Sequence, residues 1–163
     1  MSGRLGATPL AGGTRFEVWA PTATRVEIVT EGSGTVDLTS TAHPDEAGMT
    51  TWVGVGEGIG NGDRYRVRLD GGEARPDPAS RWQPEGVHGP SAVVDPARFE
   101  WHDHDWTGVE LADAVLYELH VGTFTSGGTF DAAIAQLPRL ADLGVTLIEL
   151  MPVNAFPGTR NWG

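Results

Sequence analysis

The chain contains no cysteine and no lysine, and it lacks any long hydrophobic run. Without cysteine, it can form neither a disulfide framework nor a thiolate metal site. No stretch approaches the roughly 18 apolar residues that a membrane span needs, and residues 1–13 lack the apolar core of a secretion signal. We therefore expect no membrane association and a reducing, cytoplasmic location.

The charge is strongly acidic. Eleven arginines face 22 acidic residues, which gives a formal net charge of −11. Such a chain repels phosphate backbones, so we exclude nucleic acid as a partner. The 163 residues suffice for one domain or for one domain and part of another, and the sequence does not indicate an oligomeric state.

The first half of the chain has a sequence pattern that is typical of short strands. Residues 64–69 alternate strictly, which places Tyr65, Val67 and Leu69 on one face, and Asp70-Gly71-Gly72 follows as a tight turn. Further strands are predicted at residues 16–19, 25–29, 36–38 and 51–55. Strands of this length and spacing, each with one polar face, predict an antiparallel β-sandwich.

The sequence pattern changes in the second half of the chain. Five prolines keep residues 75–96 extended or irregular, and a boundary is predicted at residues 108–113. Residues 114–121 predict a strand, residues 123–128 a turn, and residues 145–153 a second strand. Thr129 is suited to cap the helix between the strands, and Gly144 to end it. The predicted helix has Pro138 as a kink and an apolar stripe formed by Phe130, Ile134, Leu137 and Ala141.

A strand-helix-strand order gives parallel strands joined by a right-handed crossover. Such strands need cover on both faces, and a β/α barrel takes about 250 residues, of which only about 50 would be present here. We therefore predict a sandwich with its linker at residues 1–110 and the truncated start of a barrel at residues 111–163.

Two carboxylates invite a catalytic interpretation. Glu118 and Glu149 lie near the carboxyl ends of neighbouring strands, as a glycoside hydrolase would require. We interpret them instead as buried structural acids within a hydrogen-bonded network. The run of His102, Asp103, His104 and Asp105 resembles a metal motif, but it lies in the linker without further anchoring ligands. We expect neither a metal nor another cofactor.

The remaining candidates are aromatic or imidazole side chains. His120 shares the face of Glu118 and either contacts substrate or serves as a hydrogen-bonded core histidine. Trp162 follows the second strand and either stacks on a sugar or packs beneath its loop. Trp19, Trp52 and Trp82 are expected to pack in the core or against a neighbouring domain rather than form a glycan platform.

Several motifs together resemble the α-amylase superfamily of enzymes acting on α-glucans. Residues 16–21 (FEVWAP) with 25–27 (RVE) resemble the start of its N-terminal immunoglobulin-like domain. Its first barrel strand is similar to residues 117–124 (YELHVGTF). Its second strand and the loop that follows are similar to residues 143–153 (LGVTLIELMPV) and 161–163 (NWG). The resemblance covers nearly the whole chain and implies an immunoglobulin-like antiparallel β-sandwich followed by the first β-α-β unit of an incomplete (β/α)8 barrel.

Within the superfamily, the closest resemblance is to the malto-oligosyltrehalose trehalohydrolases. It rests on residues 75–91 (RPDPASRWQPEGVHGPS), 128–131 (GTFD) and 156–163 (FPGTRNWG). It implies hydrolysis of the α-1,4 bond that joins trehalose to a maltooligosaccharide, with retention of configuration. Branching and debranching enzymes share the layout and are the alternative within the superfamily. A non-catalytic carbohydrate-binding module is the alternative outside enzymes.

The resemblance also implies how the reaction proceeds. In these enzymes an Asp nucleophile and a Glu acid stand about 5–5.5 Å apart, and a second Asp supports the transition state. All three come from later strands, so no catalytic residue is assigned in this chain, and Glu118 and Glu149 are not the catalytic pair. His120 and Trp162 are the expected substrate-binding residues, with a maltooligosaccharide-type substrate as the partner. We expect the 163 residues alone to be inactive.

Overall fold

The computed structural model describes residues 4–32, 34–41, 50–154 and 156. They form two compact units: one is built from residues up to Glu100, and the other comprises Trp101–Asn154. None of the helices in these ranges has the length and hydrophobicity of a membrane span.

The first unit consists of two antiparallel sheets. The first sheet contains β1 (Gly6–Leu10), β2 (Gly13–Trp19), β5 (Thr39–Ser40) and β6 (Thr51–Glu57), in the spatial order β1-β2-β6-β5. The second contains β3 (Val26–Thr30), β4 (Gly34–Asp37), β7 (Arg64–Leu69) and β8 (Ser91–Ala92), in the order β4-β3-β7-β8. A 3-10 turn at Pro96–Arg98 follows.

Alternation along the strands builds a common core between these sheets. Phe16 from β2 meets Tyr65 from β7 edge-on, with ring centroids 5.0 Å apart, and both side chains are almost fully buried. Val18, Val26, Ile28, Trp52 and Val67 belong to the same cluster. The predicted sandwich is therefore confirmed, with mainly antiparallel pairing.

The turn after β7 is confirmed, whereas three strands were not predicted. Asp70 and Gly71 both have positive φ, 51° and 72°, and the N–H of Gly72 donates to the carbonyl of Leu69 at 2.9 Å. The unpredicted strands are β1, which pairs with β2, and the two-residue strands β5 and β8, which pair with β6 and β7. Leu69 is half exposed because it ends β7 beside the turn.

The second unit contains a parallel strand pair, and its helices lie between the two strands in chain order. Its elements are a 3-10 turn at Leu111–Asp113, β9 (Leu116–Leu119), α1 (Val121–Phe124), α2 (Phe130–Ile134), α3 (Leu137–Asp142) and β10 (Leu147–Leu150). β9 and β10 pair in parallel, with Leu116 beside Leu147 and Leu119 beside Leu150. Leu119, Val121 and Leu140 are buried together.

The helical segment differs from the prediction in one respect. The Oγ1 of Thr129 accepts from the N–H of Ala132 at 3.2 Å, so the predicted cap is confirmed. The single kinked helix is wrong, because the chain breaks between α2 and α3 and Pro138 lies in the first turn of α3. The buried face also differs from the predicted stripe. Ala133 and Leu140, seven residues apart, are buried, whereas Phe130 and Ile134 of the predicted stripe are 52% and 59% exposed.

The predicted order of strand, helix and parallel strand is confirmed. The predicted strands were too long: the run at residues 114–121 yields a strand of four residues, because the chain turns into α1 at Val121. The assignment of this pair to a (β/α)8 barrel, and the division into residues 1–110 and 111–163, stay predictions.

Candidate functional site

The two carboxylates predicted to be neighbours are brought side by side. Glu118 in β9 and Glu149 in β10 are register partners in the parallel pair. Direct neighbours in a parallel ladder project to the same face, with strands about 4.8 Å apart. Both side chains are exposed in the described part of the chain, which does not contain the further strands of the predicted barrel, so their interpretation as buried structural acids stays a prediction. No covering element lies over this face within those residues.

His120 lies immediately beyond β9, on the face of Glu118. Its backbone is still extended, with φ −100° and ψ 113°, so the strand alternation continues through it. The carbonyl of His120 accepts from the N–H groups of Thr123 and Phe124 at 3.0 and 2.9 Å, which starts α1. Its Nδ1 lies 3.3 Å from Oγ1 of Thr123. The half-buried imidazole thus has a side-chain partner at the carboxyl end of the strand.

A cleft of about 640 Å³ opens on the opposite face of β9. Tyr117, which alternates with Glu118, forms its floor with Phe124, their ring centroids being 6.2 Å apart. Arg139 and Asp142 from α3 contribute charged groups to its rim. The cleft does not include Glu118 or His120, so the parallel pair carries two separate surfaces.

The three tryptophans of the sandwich divide into one core residue and two surface residues. Trp52 is buried, and its indole N–H donates to the carbonyl of Ala20 at 3.0 Å. Core packing is therefore confirmed for Trp52. Trp19 and Trp82 lie outside the core, at 57% and 45% exposed, so for these two residues the predicted packing against a neighbouring domain stays a prediction.

The sequence did not reveal a buried polar network that involves the segment before Trp82. The hydroxyl of Tyr65 donates to Oδ2 of Asp77 at 2.7 Å, and Oδ1 of Asp77 accepts from the N–H of Ala79 at 2.8 Å. The N–H of Asp77 donates to Oγ of Ser91 at 3.0 Å. Burial, reinforced by the neighbouring Asp77 carboxylate, raises the pKa of the Tyr65 phenol far above its usual range. The Pro-Asp-Pro run at residues 76–78 was the sequence signal that could have indicated this network, because it fixes a turn.

The other candidates carry no assembled site. Residues 102–105 are exposed, and no group of three or more metal-ligating side chains occurs in residues 4–32, 34–41, 50–154 and 156. Trp162 lies outside the described residues, so its predicted role stays a prediction.

Comparison with known proteins gives a consistent family relationship. Residues 4–91 match the model of carbohydrate-binding module 48, the isoamylase N-terminal domain. The chain is 48% identical over 162 residues to a malto-oligosyltrehalose trehalohydrolase of Deinococcus radiodurans, covering 98% of this chain and 26% of that protein.

Two solved structures extend this similarity. A Salmonella typhimurium protein described as an alpha amylase has a TM-score of 0.84 and 43% identity, over 98% of this chain and 26% of that one. A group B Streptococcus pullulanase in complex with maltotetraose has a TM-score of 0.67 and 25% identity, over 94% of this chain and 24% of that one. The chain thus spans about a quarter of the length of the relatives it matches.

Proposed function

The chain belongs to the carbohydrate-binding module 48 family, and from this premise we propose that it forms the N-terminal part of a trehalose-releasing glycoside hydrolase. The reaction is hydrolysis of the α-1,4-glucosidic bond that joins trehalose to a maltooligosaccharide. The observation that carries the proposal is the 48% identity to a malto-oligosyltrehalose trehalohydrolase over nearly the whole chain. We place the enzyme in the cytoplasm.

In this proposal, β9 and β10 are the first two strands of a (β/α)8 barrel. Barrel enzymes keep their chemistry at the carboxyl ends of the strands, which is where His120 lies. His120 and Trp162 contact the maltooligosyl substrate there. The nucleophile and the acid come from later strands, and the 163 residues alone do not cleave the bond.

The exposed pair of Glu118 and Glu149 supports this barrel assignment. Two carboxylates on adjacent strands repel each other and gain from a cationic neighbour. A closed barrel surrounds this face with the side chains of further strands, any of which can supply a guanidinium or a hydrogen-bond donor. The pair then serves as a structural element of the barrel interior rather than as acid and nucleophile.

A debranching enzyme is the second candidate. The similarity to the pullulanase structure supports it, but the identity of 25% is far lower than the 48% found with the trehalohydrolase. The two activities separate by product: a trehalohydrolase releases trehalose from maltooligosyl trehalose, whereas a debranching enzyme acts on branch points.

The test is a chimera in which this chain replaces the matching quarter of the Deinococcus radiodurans protein. We expect the chimera to release trehalose from maltooligosyl trehalose and the 163-residue chain alone to release none. Replacing only residues 1–110 provides the matched control, because it leaves the relative's own barrel intact. A folded chimera without trehalose release, while the control remains active, would contradict the proposal.

The role of His120 is tested in the same chimera. We expect His120→Ala to raise KM for maltooligosyl trehalose by about tenfold, the effect of losing one buried substrate contact. Thr123→Val removes the side-chain partner of His120 but keeps the imidazole, so it should cost less. Unchanged kinetics in His120→Ala would leave His120 as a structural residue.

A further inference from the structure

The connection between β6 and β7 contains an Asn-Gly pair, Asn61 and Gly62. The N–H of Asp63 donates to the carbonyl of Gly60 at 3.1 Å, so the pair occupies the two central positions of a four-residue turn. Gly62 has a φ of 92°, the positive value that the third residue of a type II turn requires. The Asn61 side chain is exposed and lines a cleft of about 290 Å³, so water reaches its amide.

An Asn-Gly pair has an intrinsic chemical reactivity. The main-chain nitrogen of the glycine attacks Cγ of the asparagine, a new C–N bond forms, and the side-chain nitrogen leaves as ammonia with the proton of the glycine amide. Water then opens the cyclic succinimide at either carbonyl, which gives aspartate or isoaspartate. Glycine favours ring closure because no side chain hinders its nitrogen, and asparagine counts among the thermolabile residues of proteins.

The pair at Asn61 is the most reactive of its kind in the sequence. The other two of the three asparagines precede an alanine and a tryptophan, whose side chains crowd the attacking nitrogen. Asp70 and Gly71 can form the same ring. However, hydrogen bonds from the hydroxyl of Thr24 and from the N–H groups of Thr24 and Arg25, all at 2.8 Å, lower the pKa of Asp70 below its usual value. An ionised carboxylate is a poor electrophile, whereas the amide of Asn61 carries no charge.

The fold holds both reacting groups of the pair in hydrogen bonds to the segment that follows β8. The N–H of Gly62 donates to the carbonyl of Val93 at 2.9 Å. Oδ1 of Asn61 accepts from the N–H of Asp95 at 2.8 Å. A nitrogen that donates to Val93 and an amide that is bonded to Asp95 are not placed to join each other. The turn must therefore open locally before the ring can close.

Reaction at Asn61 would change this edge of the sandwich. Isoaspartate inserts a methylene group into the main chain directly before Gly62, which shifts the N–H that donates to Val93. Either product also adds a carboxylate near Asp95, which lines the same cleft. The β8 strand beside this bond is only two residues long, so it has few hydrogen bonds with which to absorb the change.

We propose that Asn61 is a site of spontaneous deamidation, gated by the hydrogen bond from Gly62 to the carbonyl of Val93. Each opening of the turn exposes the pair to reaction, and the loss of ammonia makes the product permanent. The turn thus records how often this edge of the sandwich opens. The inference is independent of the proposed function, because it rests only on residues of the sandwich and on water as the co-reactant.

The experiment follows the 163-residue chain at mildly alkaline pH, in buffer and in concentrated guanidinium chloride. Cleavage after arginine releases residues 26–64, in which Asn61 is the one asparagine, and mass spectrometry of this peptide measures aspartate and isoaspartate. We expect the reaction to be at least about tenfold slower in buffer than in guanidinium chloride, because only the open turn reacts. Asn61→Gln is the matched chemical control: it keeps an amide but needs a larger ring, so the signal should disappear under both conditions.

Asp63→Ala tests the gate without altering the reacting pair. Oδ2 of Asp63 accepts from the N–H of Gly60 at 2.7 Å, so its removal loosens the turn. We expect hydrogen exchange at the N–H of Gly62 and deamidation in buffer to accelerate by the same factor, about fivefold for one lost hydrogen bond. Each deamidation rate is divided by that of the same variant in guanidinium chloride, which removes any direct chemical effect of the substitution. Glu57→Ala is the matched control, because it removes an exposed carboxylate from β6 and leaves these bonds in place.

The outcomes test the site and the gate separately. Absence of isoaspartate at Asn61 in guanidinium chloride would overturn the site. Equal rates in buffer and in guanidinium chloride would overturn the gate, and so would any variant in which exchange at Gly62 and deamidation change by different factors. Complete protection in buffer, together with reaction in guanidinium chloride, supports both. None of these results depends on trehalose release, so the chimera measurement decides the proposed function independently.

Discussion

The hydroxyl of Tyr65 donates a 2.7 Å hydrogen bond to the carboxylate of Asp77, and both residues are buried. Tyr65 belongs to a core strand, whereas Asp77 belongs to the irregular segment that carries Trp82. The bond therefore ties a surface-forming turn to the centre of the sandwich.

We predict that Tyr65→Phe destabilises the sandwich by about 1–3 kcal/mol, because a buried carboxylate loses a donor without gaining a replacement. Urea denaturation at pH 7, followed through tryptophan fluorescence, measures this change. Tyr117→Phe is the matched control, since Tyr117 lies in the other unit and is 37% exposed. An equal loss in both variants would contradict the role given to the Asp77 bond.

The same phenol should dominate the alkaline stability of the chain. With no lysine, no cysteine and only two tyrosines, few side chains titrate between pH 9 and 11.5. The pKa of Tyr65 is raised in the folded state, so its stabilising contribution is complete below the unfolded pKa of about 10 and falls above it. The expected slope is about −1.4 kcal/mol per pH unit above pH 10.

Spectroscopy isolates this effect. In the Tyr117→Phe variant, Tyr65 is the only tyrosine, so absorbance at 295 nm reports its phenolate alone. We expect no phenolate signal above pH 10 until the sandwich unfolds. A reversible signal near pH 10 in folded protein would show that the hydroxyl is accessible.

The free energy of unfolding at acidic pH should depend on Glu27. Nε and Nη2 of Arg68 both donate to its carboxylate at 2.9 Å, and Nη2 of Arg25 lies 3.0 Å from Oε1. The hydrogen bonds from Arg68, aided by the charges of Arg25 and Arg68, lower the pKa of Glu27 below its usual value. A lowered folded pKa contributes stability above the unfolded pKa of about 4.3, which is lost as the pH falls through the folded pKa.

We therefore expect the stability difference between wild type and Glu27→Gln to shrink as the pH falls from 6 to 3. Urea midpoints at half-unit intervals measure this difference. Arg68→Met is the companion variant, because it keeps Glu27 but removes the largest cause of the shift. A difference that stays constant down to pH 3 would show that the ion pair is not linked to folding.

The alternation of side chains between the two faces of a strand explains which parts of the sandwich could be predicted from the sequence. In β2, Phe16 and Val18 face the core, and the same alternation puts Trp19 on the face of Glu17. The alternation therefore excludes Trp19 from the core and leaves packing against a neighbouring domain as its predicted role. It does not fix exposure, since Glu17 on the same face is buried.

Other features depended on tertiary contacts that local pattern does not contain. β1 was missed because its strand, Gly6–Leu10, includes Gly6 and Pro9, which are unfavourable in strands, and it forms only by pairing with β2. The pairing of Glu118 with Glu149 was foreseen because parallel neighbours align carboxyl ends. Their exposure was not, since burial depends on which elements cover the face. The link from Tyr65 to Asp77 spans 12 residues and two unrelated local patterns.

The neighbouring carboxylates on β9 and β10 should weaken their own strand pair. We predict that Glu149→Gln stabilises the pair by about 0.2–1 kcal/mol, because like charges directly opposite each other are unfavourable. Amide exchange at the N–H of Met151, which donates to the carbonyl of Leu119 at 2.9 Å, should slow accordingly. Glu110→Gln is the control: it removes one charge from the same unit at a position outside the strand pair. Faster exchange in Glu149→Gln would mean that the carboxylate stabilises the pair.

The two units should differ strongly in their resistance to opening. In the sandwich, 12 buried residues from both sheets form one cluster, whereas the second unit has a cluster of three. Its strands also leave large apolar side chains in water, including Leu116 at 57% and Leu150 at 48% exposed. Each such side chain forgoes up to roughly 1.5–3 kcal/mol of burial, and a small domain has only a few kcal/mol of net stability.

Native-state hydrogen exchange of the monomeric chain tests this contrast, because protection reports the free energy of local opening. We expect the central strands β3 and β7 to exchange at least about a hundredfold more slowly than β10, which corresponds to about 2.7 kcal/mol or more. The comparison is internal, so pH and temperature affect both units alike. Covering the face of Glu118 and Glu149 in the chimera should then slow exchange in β10 while leaving β3 and β7 unchanged. Protection of β10 equal to that of β3 in the isolated monomer would show that the parallel pair is stable without further strands, and would remove the physical reason for assigning it to a barrel.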